Sequence, residues 1–197
     1  MKVSLNSMVK VAIMSALSLI IMFFELPLPL FPAFLKIDFS DIPALLVTFS
    51  LGPVYGALVE LIKNLLHLFR TSTVGIGELA NFLVGVSYVV PAGIVYKYNK
   101  SKKGAFLGLA VGTASMVVFA SLFNYFFLIP MYAKVLNFPT EAVVAMGTEV
   151  NKHIVDVRSL ISYAIAPFNA IKGIVVSLVV VLIYKRLSPI LHKGLGK

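Results

Sequence analysis

Residues 160–184 carry a single charged side chain, Lys172. A run that long and apolar reaches across a bilayer core, which takes about 20 helical residues. In lipid the backbone must satisfy its own hydrogen bonds, so such a run is a helix. Five further apolar segments precede it, at residues 8–24, 42–51, 54–69, 78–96 and 104–129. The first stops at Glu25-Leu26-Pro27-Leu28-Pro29, where two prolines end a helix, and the second stops at Gly52-Pro53. The second and third are short and share the charge-free run 42–59. They read as two helices or as one kinked hairpin.

Composition agrees. Hydrophobic residues make up 59% and charged residues 13%, and the mean hydropathy is +0.97. A soluble domain carries about 25% charged residues, and this chain could not cover an aqueous surface with so few. That excludes an ordinary globular enzyme, a disordered chain and a nucleic-acid binder. The expectation is an all-α integral membrane protein, with residues 1–197 forming one six-helix transmembrane domain. The chain has no cysteine, hence no disulfide, thiolate nucleophile or Cys-bound metal.

The net charge of +9 is topological. All eight acids lie between Glu25 and Asp156, whereas both ends and residues 97–103 hold only bases: Lys2, Lys10, Lys97, Lys100, Lys102, Lys103, Lys185, Arg186, Lys193 and Lys197. Basic loops stay in the cytoplasm. Six spans put both termini and residues 97–103 on that side, and the loops 26–41, 70–77 and 130–158 outside. Lys2 and Lys10 precede an apolar run as in a signal peptide, but no small-x-small cleavage site follows, so the segment reads as a retained span. The long outer loops 26–41 and 130–158 suggest a lid or a binding mouth.

Polar groups inside the membrane are costly and mark functional candidates. Asn169 and Lys172 lie on one helix face by their i,i+3 spacing, and Pro167 weakens the helix one turn earlier. They read as ligand contacts, or as a lysine paired with an acid beside a packing asparagine. Asn124 sits among aromatics in Leu122-Phe123-Asn124-Tyr125-Phe126-Phe127. That setting suits a flat ligand with a polar edge, and equally an interhelical hydrogen bond. Glu60, Lys63, Asn64 and His67 form one polar stripe, read as internally paired, with a proton relay as the alternative. His67 has no second histidine at ligand spacing, so no metal site is expected. His153 and Asp156 read as solvated loop residues. Ser40 or Asp41 is the expected N-cap of the second segment. Gly75-x-Gly77 frees the backbone for a turn or a close ligand approach. Gly104, Gly108 and Gly112 are expected to pack the bundle internally. Ala12 and Ala16 do the same or dock another subunit.

These motifs together resemble the substrate-binding S components of energy-coupling-factor vitamin transporters, above all the riboflavin-specific members. The resemblance rests on Ala12-xxx-Ala16, Phe34-Leu35-Lys36-Ile37-Asp38-Phe39-Ser40-Asp41-Ile42-Pro43, Glu60-Leu61-Ile62-Lys63-Asn64-Leu65-Leu66-His67, Gly77-Glu78-Leu79-Ala80-Asn81-Phe82, Asn124 and Asn169-xx-Lys172. It implies a six-helix bundle with a riboflavin pocket near the outer face. Asn124, Asn169 and Lys172 would contact the isoalloxazine ring, and the first outer loop with Phe34, Leu35 and Lys36 would cover it. Glu78 and Asn81 would join the substrate-binding set, and Ala12 and Ala16 would meet a coupling subunit. The implied partners are the transmembrane coupling subunit EcfT and two cytosolic ATPase subunits. The chain itself has no Gly-x-x-x-x-Gly-Lys-Ser/Thr loop for ATP and is expected to need no cofactor of its own. An S component for another vitamin and a stand-alone ion-coupled transporter are the alternatives. An intramembrane serine protease is not supported, because Gly112-Thr113-Ala114-Ser115 lacks the nucleophile turn and His67 lacks a serine partner.

Overall fold

Helix α1 (Leu5–Met22) begins where the Ser4 side chain accepts the Ser7 N–H. Its buried stripe is Ser7, Val11, Met14, Ser15, Ser18 and Met22, and its other face is exposed and largely apolar. A helix apolar on its outward side belongs in lipid. The computed structural model describes residues 4–192 and the side chains of residues 4–184. Lys2, Lys193 and Lys197 lie outside the described residues, as do the side chains of Lys185 and Arg186.

After α1 the first outer loop is pinched at its neck. Strand β1 (Leu26–Pro27) pairs antiparallel with β2 (Lys36–Ile37), and Lys36 bonds Glu25 across the same neck. The second and third apolar segments are separate helices, α2 (Asp41–Leu51) and α3 (Pro53–His67). Gly52 breaks the chain between them at φ 114°, and Pro53 starts α3. Helix α2 is short because it is enclosed: Asp41 through Phe49 are all buried, and α1, α3, α4 and α9 surround it.

Helix α4 (Ile76–Tyr98) starts at Gly75, whose φ of 87° makes the turn. Helix α5 (Lys102–Phe123) packs closely on α4. A Cβ on Gly108 would lie 2.6 Å from the Ala92 carbonyl oxygen, and one on Gly112 would lie 2.6 Å from that of Tyr88. The glycine ladder therefore packs the bundle internally, as expected, with Gly108 and Gly112 seating α5 on α4.

The fifth segment runs further than the sequence suggests. It passes Pro130 without stopping, through a π-turn (Asn124–Leu128) into α6 (Ile129–Val135). Proline has no N–H for the carbonyl four residues back. The π-turn shifts the pairing to i→i−5, as in the Ile129 N–H to Asn124 carbonyl bond, and the helix continues. The same device recurs before Pro167: α8 (Val157–Leu160) runs through a π-turn (Ile161–Ile165) into α9 (Ala166–His192).

The stretch 130–158, expected as a long polar loop, is largely helical. Beyond α6 it forms α7 (Thr140–Val150), which buries Val143 and Gly147 against Ile154 and Leu160. His153 and Asp156 are exposed as expected, but Asp156 also caps α8 through a reciprocal pair of bonds with Ser159. The Ser159 hydroxyl and N–H hold the Asp156 carboxyl below its ordinary range.

Among the described residues four helices are long and apolar enough to cross a membrane: Leu5–Met22, Ile76–Tyr98, Lys102–Val135 and Val157–Tyr184. The protein is a mostly helical membrane protein.

Candidate functional site

The loop-to-α2 junction gathers the buried charge. Asp38 ends the first outer loop, and its Oδ1 accepts both the N–H of Ser40 (2.9 Å) and the Ser40 hydroxyl. Ser40 occupies the N-cap position of α2 but makes no side-chain cap bond, and Asp41 lies in the first turn. The expected cap is thus replaced: both side chains turn to lysines. Lys63, on α3, donates to Ser40 Oγ at 2.7 Å and Asp41 Oδ1 at 2.7 Å, and pairs with Glu60 Oε2 at 2.8 Å. Lys172, on α9, reaches Asp38 Oδ2 at 2.9 Å and Asp41 Oδ2 at 3.0 Å. All five charged side chains are buried. Gly85 on α4 makes room for Glu60, since a Cβ there would lie 2.3 Å from Glu60 Oε2.

An ammonium carries three N–H donors. Lys63 meets three protein oxygens, donating to Ser40 and Asp41 and pairing with Glu60, so it knits α2 to α3. Lys172 has two taken and one left for another acceptor. The reading of Lys172 as paired with acids is thus correct in geometry, and it leaves the ligand reading intact. Pairing both lysines is what makes their burial tolerable.

Asn169 lies one turn before Lys172. Its amide donates to the Ile165 carbonyl at 2.8 Å, and the Asn124 amide donates to the Ala120 carbonyl at 2.8 Å. Each asparagine is held by its own helix at a π-turn and keeps Oδ1 and one N–H for a further partner. Both are buried. Among the described residues neither makes the interhelical bond that was the alternative for Asn124. Helix α9 packs on α5 where Gly173 meets Thr113 and Met116, which brings Asn124 and Asn169 to the same end of the bundle.

The first outer loop covers that end. Phe31 meets the ring of Phe168, the neighbour of Asn169, edge-on at 5.4 Å. Phe34 and Leu35 pack against the cluster of Ile129, Val143, Ile154, Leu160, Ala164 and Ile165. Lys36 is turned outward to Glu25.

Glu78 and Asn81 lie on the seam between α3 and α4. Glu78 pairs with His67 Nδ1 at 3.0 Å and accepts the hydroxyls of Thr71 at 2.8 Å and Thr73 at 3.3 Å. Asn81 accepts the Asn64 amide at 3.2 Å. The polar stripe Glu60, Lys63, Asn64, His67 is therefore internally paired, as read from its spacing. Ala12 and Ala16 are both exposed, on the face of α1 that points away from the bundle. Among the described residues no group of acids, histidines or cysteines is placed to hold a metal.

Sequence reasoning missed Asp38 and Asp41 as partners of Lys172. They lie in a run that carries the family resemblance, but a bond spanning 134 positions leaves no local signature.

Known proteins are similar to this chain over most of its length. The family described as "ECF transporter, substrate-specific component" matches residues 6–184. The Staphylococcus aureus (strain TCH60) protein named riboflavin transporter RibU is 38% identical, over 94% of this chain and 92% of its own. The Bacillus subtilis (strain 168) protein named riboflavin transporter FmnP is 35% identical, over 93% of each. A solved structure described as "Structure and mechanism of the S component of a bacterial ECF transporter" superposes with a TM-score of 0.75. It is 36% identical and covers 95% of this chain and 98% of its own.

Proposed function

The chain belongs to the substrate-specific components of energy-coupling-factor transporters, and from that membership we infer that it is the riboflavin-binding S component of such a transporter. It binds its ligand and catalyses no reaction. The observation that carries the reading is the state of Lys172: a buried ammonium held by Asp38 and Asp41, with one donor left, one turn from Asn169. The pyrimidine edge of an isoalloxazine alternates donors and acceptors. Asn124 and Asn169 offer both, and Lys172 adds a donor. Phe34, Leu35 and Lys36 cover the ligand from the first outer loop, and Glu78 and Asn81 flank it from α4.

In this reading residues 1–197 form one domain of six spans in the plasma membrane of a prokaryote, with both termini and residues 97–103 in the cytoplasm. The positive-inside distribution supports that orientation. Transport energy comes from ATP hydrolysed by two cytosolic ATPase subunits and is passed on by the transmembrane coupling subunit EcfT. The exposed Ala12 and Ala16 on α1 support a docking face there.

Riboflavin titrated into the purified chain tests the reading. Flavin fluorescence should be quenched at one site per chain, and Asn169→Ala should weaken the affinity by about 5–150-fold. A folded wild-type protein that leaves flavin fluorescence unchanged would refute it.

A further inference from the structure

We propose that Ser18 on α1 is a positioning residue for Lys172, acting through Ser40 and Asp38, so that occupation of the ligand site and the placement of α1 are coupled. The proposal rests on the riboflavin reading and adds a residue outside the pocket. Ser18 is fully buried, and its hydroxyl donates to the Ser40 carbonyl. The Ser40 N–H and hydroxyl both go to Asp38 Oδ1, and the other oxygen of Asp38 accepts Lys172 at 2.9 Å. The Ser40 residue is thus fixed on one side by α1 and on the other by the carboxylate that aims the lysine. Ser40 can serve both because it does not cap α2. The relay runs from α1 through the turn 38–41 to α9.

Each link is a buried hydrogen bond, and a change at one end is felt at the other as a lost or strained bond. Coupling of this kind is reciprocal: if α1 steadies Lys172 for the ligand, the ligand steadies α1. The opposite face of α1 carries Ala12 and Ala16, so the helix that reports on the site also presents the proposed docking face. Ser15 provides an internal control. It lies on the same helix, is equally buried, and its hydroxyl has no hydrogen-bond partner among the described residues.

The test uses the full chain with the substitutions Ser18→Ala, Ser18→Cys, Ser15→Ala, Asp38→Asn and the pair Ser18→Ala with Asp38→Asn. Ser18→Ala should weaken riboflavin binding about two- to tenfold, and Ser15→Ala should leave it unchanged. Ser18→Cys keeps the volume, loses the strong donor and should show the same weakening, which keeps the test valid if the alanine variant folds poorly. In the Asp38→Asn background Ser18→Ala should cost nothing further, because the relay is already cut at Lys172. Riboflavin should also slow hydrogen exchange in α1 of the wild type and do so less in Ser18→Ala. Unchanged affinity in both Ser18 variants, or an undiminished loss on top of Asp38→Asn, would overturn the relay. Absence of riboflavin binding by the unmutated chain would instead overturn the functional reading beneath it.

Discussion

Lys63 meets three protein oxygens, on Ser40, Asp41 and Glu60, whereas Lys172 meets two, on Asp38 and Asp41. The two residues share Asp41 and yet should fail differently when changed. Lys63→Met strands Glu60 and half of Asp41 in a buried site. Breaking a buried pair in this way costs about 3–5 kcal/mol, so the ligand-free protein should melt at a clearly lower temperature. Lys172→Met strands Asp38 as well, but its distinguishing effect lies in binding. The folded fraction should lose riboflavin affinity by about 5–150-fold, read by titration beside thermal melts of both variants. A Lys172→Met protein that is folded and binds as tightly as the wild type would remove Lys172 from the site. The sequence marked Lys172 because a lone charge in an apolar run is conspicuous. It could not assign the acids that hold it, since Asp38 lies 134 positions earlier with Asp41 close behind it.

Helices α4 and α5 meet backbone to backbone, and the close approach rests on Gly108 and Gly112. Gly112→Val would put a branched side chain where even a Cβ lies 2.6 Å from the Tyr88 carbonyl oxygen and 3.0 Å from the Ala92 Cβ. Overpacking of this kind costs about 1–3 kcal/mol, and Tyr88 is also the residue whose hydroxyl bonds the Gly173 carbonyl on α9 at 3.0 Å. The expected outcome is a lower yield of folded protein and a lower melting temperature, with Gly104→Ala as a comparison at the end of the same ladder. A Gly112→Val protein as stable as the wild type would mean that α5 can shift outward freely. The ladder was legible because small residues four apart share a helix face. Gly52-Pro53 was legible as a stop, but two helices and one kinked hairpin both fitted it, and the structure gives two helices. The continuation past Pro130 was not. Proline signals a stop unless the preceding turn re-registers its hydrogen bonds, and nothing in Asn124-Tyr125-Phe126-Phe127-Leu128 announces a π-turn. Helix α7 was hidden for a different reason: it is short, buries only Val143 and Gly147, and carries Thr140, Glu141, Thr148 and Glu149 at its two ends.

For the molecule as a whole, binding and transport separate on α1. Its buried stripe faces the bundle and reaches Ser40 through Ser18, while Ala12 and Ala16 lie exposed on the outward face. Had the alanine pair served only internal packing, it would be buried against α2 or α3. An exposed pair of small residues in an apolar face instead permits another helix to approach closely, and in the proposed transporter that helix belongs to the coupling subunit. Ala12→Trp and Ala16→Trp therefore have room in the isolated chain. As surface changes they should shift riboflavin affinity by no more than about twofold. Against a partner helix the indole would act as a wedge, and overpacking at such a contact should weaken association by about 5–150-fold. Uptake by cells and co-purification with the coupling module should fall together, while titration of the isolated variant stays near the wild-type curve. Uptake that persists in both variants would move the docking face elsewhere on the bundle. Loss of folded protein and of binding before any loss of association would return the alanines to a packing role within the chain.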